Sequence, residues 1–126
     1  MAPHTLRLLV GELAISRLAP DAPPPDWAQV GELTSITRTR DELSVVCAAA
    51  AVPDDIPHDR GWRALELRGP LDFDLVGILA DLSATLADAG VSIFAISTHD
   101  TDYVLVRAHQ LDQGVTALEA AGYRVE

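Results

Sequence analysis

The chain has 126 residues, of which 48% are hydrophobic and 22% charged, a composition that suits one compact domain or two small ones and argues against disorder. Its 9 basic and 19 acidic residues give a formal net charge of −10, so the surface repels phosphate backbones and we expect no nucleic-acid binding. No apolar run approaches the roughly 20 residues that span a bilayer, and the single cysteine, Cys47, cannot form an internal disulfide. We therefore expect a cytoplasmic protein with no membrane role.

The first half of the sequence, residues 1–58, predicts strands with little helix to cover them. A proline-rich segment at 20–30 leaves room for only one turn of helix, near Trp27. The segment 52–61 (VPDDIPHDRG) lacks an apolar period and predicts the joint to the second half. Short apolar or alternating runs predict up to four strands, at 6–10, 13–18, 33–39 and 43–48.

The second half, residues 59–126, begins with a strand and a helix. Residues 62–69 (WRALELRG) alternate as a half-buried strand does. The loop that follows ends in Asp74, a good helix-capping residue. From Leu75 the apolar spacing becomes helical, and Gly90 marks the expected stop.

Four further elements complete this half of the chain. Two strands, at 91–98 and 103–108, enclose a polar turn. A second amphipathic helix at 111–122 is stopped by a glycine, and a short last strand follows at 123–126. The resulting β-α-β-β-α-β order predicts an α+β, ferredoxin-like fold, with both helices on one face of an antiparallel sheet.

The predicted hairpins of the two halves resemble each other. Shifting the first hairpin by 60 residues places Ile36 on Ile96 and Val46 on Val106, and the two acidic turns then coincide. This similarity predicts an internal duplication, in which the first half is a reduced copy of the second.

Three segments carry a more specific resemblance, which covers nearly the whole chain. SIFAISTHDTDYVLV (Ser92–Val106), the preceding GPLDFDLVGIL (Gly69–Leu79) and SITRTRDELSVVC (Ser35–Cys47) resemble ACT domains. The similarity is to the branch of paired ACT proteins related to the arginine sensor CASTOR, in its small bacterial form. It implies an ACT domain over residues 59–126 and a reduced ACT-like half before it.

The resemblance also implies a function and a set of site residues. ACT domains bind amino acids or related small molecules and regulate a partner, and the ligand usually lies where two ACT units meet. We therefore expect a homodimer or an intramolecular pairing of units. The family pattern maps the ligand-binding residues to a loop-and-helix side, with Asp72, Asp74, Gly77 and Ile78, and a hairpin side, with Thr98, His99 and Asp102. His99 departs from the aromatic residue of the pattern, which leaves the ligand's identity open.

The residues themselves also suit an amino acid. The loop before the first helix offers free backbone N–H groups for a carboxylate, and Asp100 and Asp102 offer acceptors for an ammonium or guanidinium group. Simpler explanations stay open: Asp74 merely caps the helix, the turn aspartates bond only to the backbone, and Gly77 serves close packing.

The sequence shows no sign of metal, cofactor or catalytic chemistry. The four histidines lack ligand spacing, and Cys47 has no partner cysteine. We expect a non-catalytic amino-acid sensor that regulates a partner through ligand-dependent conformation or assembly. Two alternatives remain: a structural or protein-interaction ACT module without a ligand, and a small enzyme, because ferredoxin-like folds host many chemistries.

Overall fold

The structure, a computed structural model, describes residues 4–68 and 76–126. No helix within those two ranges is both long and apolar enough to cross a membrane. The same residues contain three short 3-10 turns, at Asp26–Gln29, Ala49–Ala51 and Ala108–Gln110. They form strands and α-helices in the order β1 (Thr5–Leu8), β2 (Leu13–Leu18), β3 (Ser35–Arg38), β4 (Leu43–Ala48), β5 (His58–Leu67), α1 (Ile78–Asp88), β6 (Ile93–Ser97), β7 (Asp102–Arg107), α2 (Leu111–Ala120) and β8 (Arg124–Val125).

The chain divides into two compact units. We call Val10–Trp62 the N-terminal unit, and residues 4–9 with Arg63–Glu126 the C-terminal unit. β5 contributes its first residues to the N-terminal unit and the rest to the C-terminal unit.

The N-terminal unit is an antiparallel sheet in the order β3-β4-β2-β5. The prediction of a strand-rich half is confirmed, because its described residues have only 3-10 turns besides the strands. The 3-10 turn at Asp26–Gln29 contributes Ala28 and Trp27 to the core of this unit. The remaining buried members of that core are Ala14, Leu43, Val45, Cys47, Ala49 and Val52.

The predicted joint is wrong in its last four residues. His58 to Gly61 are strand; the first three of these residues pair antiparallel with β2, and the register shift leaves Gly61 without a partner in β2. The first three have polar side chains, Gly61 has none, and the register shifts at Leu13/Ala14, so no two-residue apolar period identifies these residues as a strand. Backbone pairing with β2 therefore decides their conformation, rather than burial of their side chains.

The C-terminal unit confirms the β-α-β-β-α-β order, with one strand added. Its strands lie in the order β6-β7-β5-β1-β8, so β1 occupies a place between β5 and β8. β1 runs antiparallel to β5 and parallel to β8. The last strand therefore still runs opposite to β5, as a ferredoxin-like sheet requires.

Both helices of the C-terminal unit pack on one face of its sheet. The helices contact each other closely at Gly114 of α2, where an added Cβ would lie 3.3 Å from Leu86 Cδ2. Both helices and three strands contribute to one buried core cluster: Leu6, Leu65, Leu67, Ile78, Leu82, Leu86, Val91, Val104, Val106, Leu118 and Tyr123.

The two hairpins match at an offset of 59 residues, so the predicted offset of 60 is wrong. Arg38 pairs with Leu43 at the end of the first hairpin, and Ser97 pairs with Asp102 at the end of the second. Each hairpin is also followed by a 3-10 turn. Because side chains alternate between the faces of a strand, an error of one residue would align side chains that point to opposite faces.

Candidate functional site

The start of α1 forms the described part of the predicted loop-and-helix side. The helix begins at Ile78, later than the predicted start at Leu75, and Gly77 occupies the N-cap position. Gly77 has φ +85°, a left-handed conformation that glycine adopts at little cost. Its carbonyl accepts the Asp81 N–H at 2.9 Å, and as a glycine it has no side chain with which to cap the first turn.

Close packing against the described residues does not explain Gly77, although the sequence allowed the interpretation that a glycine there serves close packing. Apart from Gly77 itself and its two chain neighbours, no described residue has an atom within 4 Å of a Cβ placed at this position. The left-handed φ is therefore the physical reason for the glycine. The loop-and-helix side was also predicted to include Asp72 and Asp74. These two residues lie outside the described residues.

Ile78 turns its side chain into the core of the C-terminal unit. It is 5% exposed and belongs to the same buried cluster as Leu67 at the end of β5. Its side chain thus anchors the start of α1 over the sheet. What Ile78 can offer a ligand is its backbone N–H at the helix start.

The hairpin side is a tight turn between β6 and β7. The Thr98 N–H donates to the Thr101 carbonyl at 2.8 Å, and the Thr101 N–H donates to Thr98 Oγ1 at 3.3 Å. At the base of the turn, the Ser97 hydroxyl donates to Asp102 Oδ1 at 2.5 Å. Asp102 thus pairs with Ser97 and Thr98 with Thr101, and both contacts brace the turn.

His99 and Asp100 form the tip of this turn and point to solvent. Their side chains are 84% and 73% exposed, and His99 Nδ1 lies 3.1 Å from Asp100 Oδ1. Such an exposed contact contributes little to stability. Both groups are consequently accessible to an approaching ligand.

Thr101 is the residue of this turn that sequence reasoning missed. It is 7% exposed, and its hydroxyl donates to the Leu67 carbonyl at 2.7 Å. This contact fixes the hairpin turn to the last residue of β5. Because Leu67 and Ile78 share one core cluster, the turn and the start of α1 are both held at this end of β5.

A polar cluster next to Asp102 lies on the sheet face opposite the helices. Tyr103 donates its hydroxyl to Glu66 Oε2 at 2.8 Å, and Arg7 Nε donates to Glu66 Oε1 at 3.0 Å. Burial, followed by the bond to Glu66, raises the pKa of Tyr103. Both carboxylate oxygens of Glu66 thus accept hydrogen bonds within the protein.

The described residues contain no group of three or more His, Cys, Asp or Glu side chains that could hold a metal ion. Cys47 is buried in the core of the N-terminal unit. Burial raises the pKa of its thiol, which disfavours the thiolate that a nucleophile needs.

Two family models match the sequence. The model for the ACT domain matches residues 58–120, which is half of the chain. A second model, described as an N-terminal domain, matches residues 11–55. A search of curated proteins finds no significant match.

Several solved structures are similar to the chain. A structural-genomics protein from Agobacterium tumefaciens has a TM-score of 0.94 at 37% identity, with 100% of this chain and 94% of that one covered. A Vibrio cholerae protein of unknown function, described as a possible transport protein, has a TM-score of 0.77 at 18% identity, covering 94% and 89%. The ligand-free regulatory subunit of aspartate kinase from Thermus thermophilus has a TM-score of 0.63 at 14% identity, covering 95% and 99%. At the two lower identities the likeness concerns the fold alone.

Proposed function

Because the chain belongs to the ACT domain family, we propose that it is a non-catalytic regulatory module that binds an amino acid. Binding changes the conformation or assembly of the protein and thereby controls a partner. The likeness in fold to a regulatory subunit of aspartate kinase supports a regulatory role. The finer placement in the arginine-sensor-related branch is also part of this proposal, and it rests on the resemblance of Ser92–Val106.

The observation that carries the proposal is the open first turn of α1. It begins at a left-handed glycine, which has no side chain to bond to the N–H groups of the turn. Free N–H groups at a helix N-terminus suit the α-carboxylate of an amino acid. Gly77 and Ile78 would supply these groups, with Asp72 and Asp74 from the segment before them.

The hairpin turn would bind the cationic part of the same ligand. His99 lies at the tip of the turn, Asp102 follows the turn as the first residue of β7, and Thr98 supplies a hydroxyl. A carboxylate that accepts from an ammonium or guanidinium group makes a charge-assisted hydrogen bond, roughly twice as strong as a neutral one. We therefore propose an amino acid, with these seven residues as its contacts.

One observation favours the alternative of an interaction module without a ligand. The polar side chains of the turn already bond to one another or to the backbone, as the Ser97–Asp102 and Thr98–Thr101 contacts illustrate. A turn braced in this way is stable without a ligand. The two functions therefore have to be separated by experiment.

A thermal-shift screen of the full chain against the twenty amino acids separates the two functions. A ligand at 100 times its dissociation constant stabilises the native state by about 2.7 kcal/mol if only that state binds it. The α-amides and N-acetyl derivatives of any hit serve as matched controls, because each lacks one of the two charged groups. A shift that the derivatives do not reproduce supports the proposal, whereas no shift with any amino acid supports the interaction module.

Pairing of ACT units, in a homodimer or within one chain, is the remaining part of the proposal. Sedimentation velocity with and without the best amino acid distinguishes the two forms. A dimer whose population depends on the amino acid supports regulation by assembly. A monomer under both conditions excludes the homodimer and requires a change of conformation instead.

A further inference from the structure

The buried hydroxyl of Thr101 is unusual for its place in the fold. Its neighbours His99 and Asp100 are exposed, as the tip of a hairpin turn normally is. Thr101 is 7% exposed, and its hydroxyl donates to the Leu67 carbonyl at 2.7 Å, between residues 34 positions apart. A turn needs no such long-range bond to close.

The equivalent turn of the N-terminal unit provides an internal comparison. The Thr39 N–H donates to the Glu42 carbonyl at 2.9 Å, as Thr98 does to Thr101 at 2.8 Å. The Glu42 N–H donates to Thr39 Oγ1 at 3.2 Å, as the Thr101 N–H does to Thr98 Oγ1 at 3.3 Å. The same turn thus closes with Glu42 where the second hairpin has Thr101, so the threonine hydroxyl is not required for closure.

The hydroxyl instead joins the two strand ends that flank the candidate site. Leu67 is the last residue of β5, and the chain then leads into the segment that ends at Gly77. Thr101 directly precedes Asp102, the first residue of β7. We infer that Thr101 is a positioning residue, which holds the hairpin side of the site in a fixed place relative to the end of β5 without touching the ligand.

This inference rests on the proposed function. The test distinguishes a wrong role for Thr101 from a wrong function for the protein. In the full chain, Thr101→Val removes the hydroxyl at nearly constant shape, and Thr101→Ser keeps it. Thr85→Val is the matched control, because the Thr85 hydroxyl also donates to a carbonyl, that of Asp81 at 2.9 Å, but within α1.

Calorimetry measures the affinity for the best amino acid of the screen. We expect Thr101→Val to weaken it about tenfold or more, as loss of a positioning contact worth one strong hydrogen bond does. Thr101→Ser and Thr85→Val should bind like the wild type. An unchanged dissociation constant for folded Thr101→Val overturns the inference and leaves the proposed function intact.

Amide hydrogen exchange gives a readout that needs no ligand. In Thr101→Val the Thr98 amide should exchange about tenfold faster or more, whereas the Thr39 amide of the equivalent turn keeps its rate. Equal acceleration of both amides indicates a general loss of stability and overturns the inference, as does an unchanged Thr98 rate. If no amino acid binds the wild type, the proposed function fails, and the positioning role fails with it. The exchange comparison then still reports whether the Thr101 hydroxyl holds the turn in place. Thr101→Ala repeats the test if the valine variant does not fold.

Discussion

Replacement of Gly77 by alanine tests why α1 begins where it does. Gly77 has φ +85°, and apart from its chain neighbours no described residue lies within 4 Å of the position that an alanine Cβ would take, so alanine meets strain but no clash with the described residues. A left-handed conformation costs an L-residue about 1–2 kcal/mol. The reduced freedom of the unfolded alanine chain offsets about 0.4–1 kcal/mol of this cost. We expect Gly77→Ala to lower the free energy of unfolding in urea by about 1 kcal/mol.

Gly90 at the other end of α1 is the matched control. It has φ +77°, and an added Cβ would lie 3.7 Å from Gln113 Nε2, an ordinary contact. Gly90→Ala should therefore cost about as much stability as Gly77→Ala. Only Gly77→Ala should also weaken amino-acid binding, since Gly77 begins the helix turn that we propose to bind the carboxylate. A cost for Gly77→Ala well above that of Gly90→Ala would show that close packing requires the glycine and would refute this reasoning.

Two further predictions concern charge and pH. Asp102→Asn keeps an oxygen to accept the Ser97 hydroxyl but removes the charge, so stability should change little while amino-acid affinity falls about ten- to a hundredfold. Calorimetry measures the affinity of this variant and of Asp54→Asn, which removes the same charge from an exposed residue of the N-terminal unit. An unchanged affinity of Asp102→Asn would exclude ligand contact by Asp102. The only two tyrosines of the chain, Tyr103 and Tyr123, both have a pKa raised above 10 by burial and a bond to a carboxylate. The contribution of these two neutral hydroxyls to the free energy of unfolding is therefore complete below pH 10. It is lost as the pH rises through the higher pKa that each tyrosine has in the native protein. An ultraviolet titration that finds either tyrosine ionising at its ordinary pKa in the folded protein would contradict these contacts.

The element order of the second half could be predicted because its side chains carry a clear period. The sequence from Trp62 to Leu67 in β5 alternates, and the helices repeat apolar residues every three or four positions. The place of β1 between β5 and β8 could not be predicted in this way. Strand order depends on backbone pairing between distant segments, and a four-residue strand such as Thr5–Leu8 carries no sign of its neighbours.

The offset between the two hairpins shows a similar limit. At 60 residues more apolar residues coincide, but at 59 the hydrogen-bonded pairs coincide. Val45 then corresponds to Val104, and both are fully buried. In β7, three consecutive residues are buried: Val104, Leu105 and Val106. Apolar residues of the first hairpin can therefore be aligned with them at either offset, and matching apolar residues does not decide between the two. The turn is the better guide, because Thr39 and Thr98 make the same bonds.

The same alignment explains why Thr101 escaped prediction. Its hydroxyl donates to a backbone carbonyl, and every residue has a backbone carbonyl, so the identity of Leu67 carries no sign of the bond. The local sequence is equally uninformative, since threonine is common in turns and needs no distant partner there. The sequence contains one usable signal, the difference between Thr101 and Glu42 at equivalent positions of two otherwise matching turns. Because the backbone hydrogen bonds of the two turns are alike, the difference directs attention to a contact outside the turn. In the C-terminal unit that contact is with the end of β5, where the chain leaves the sheet for the candidate site.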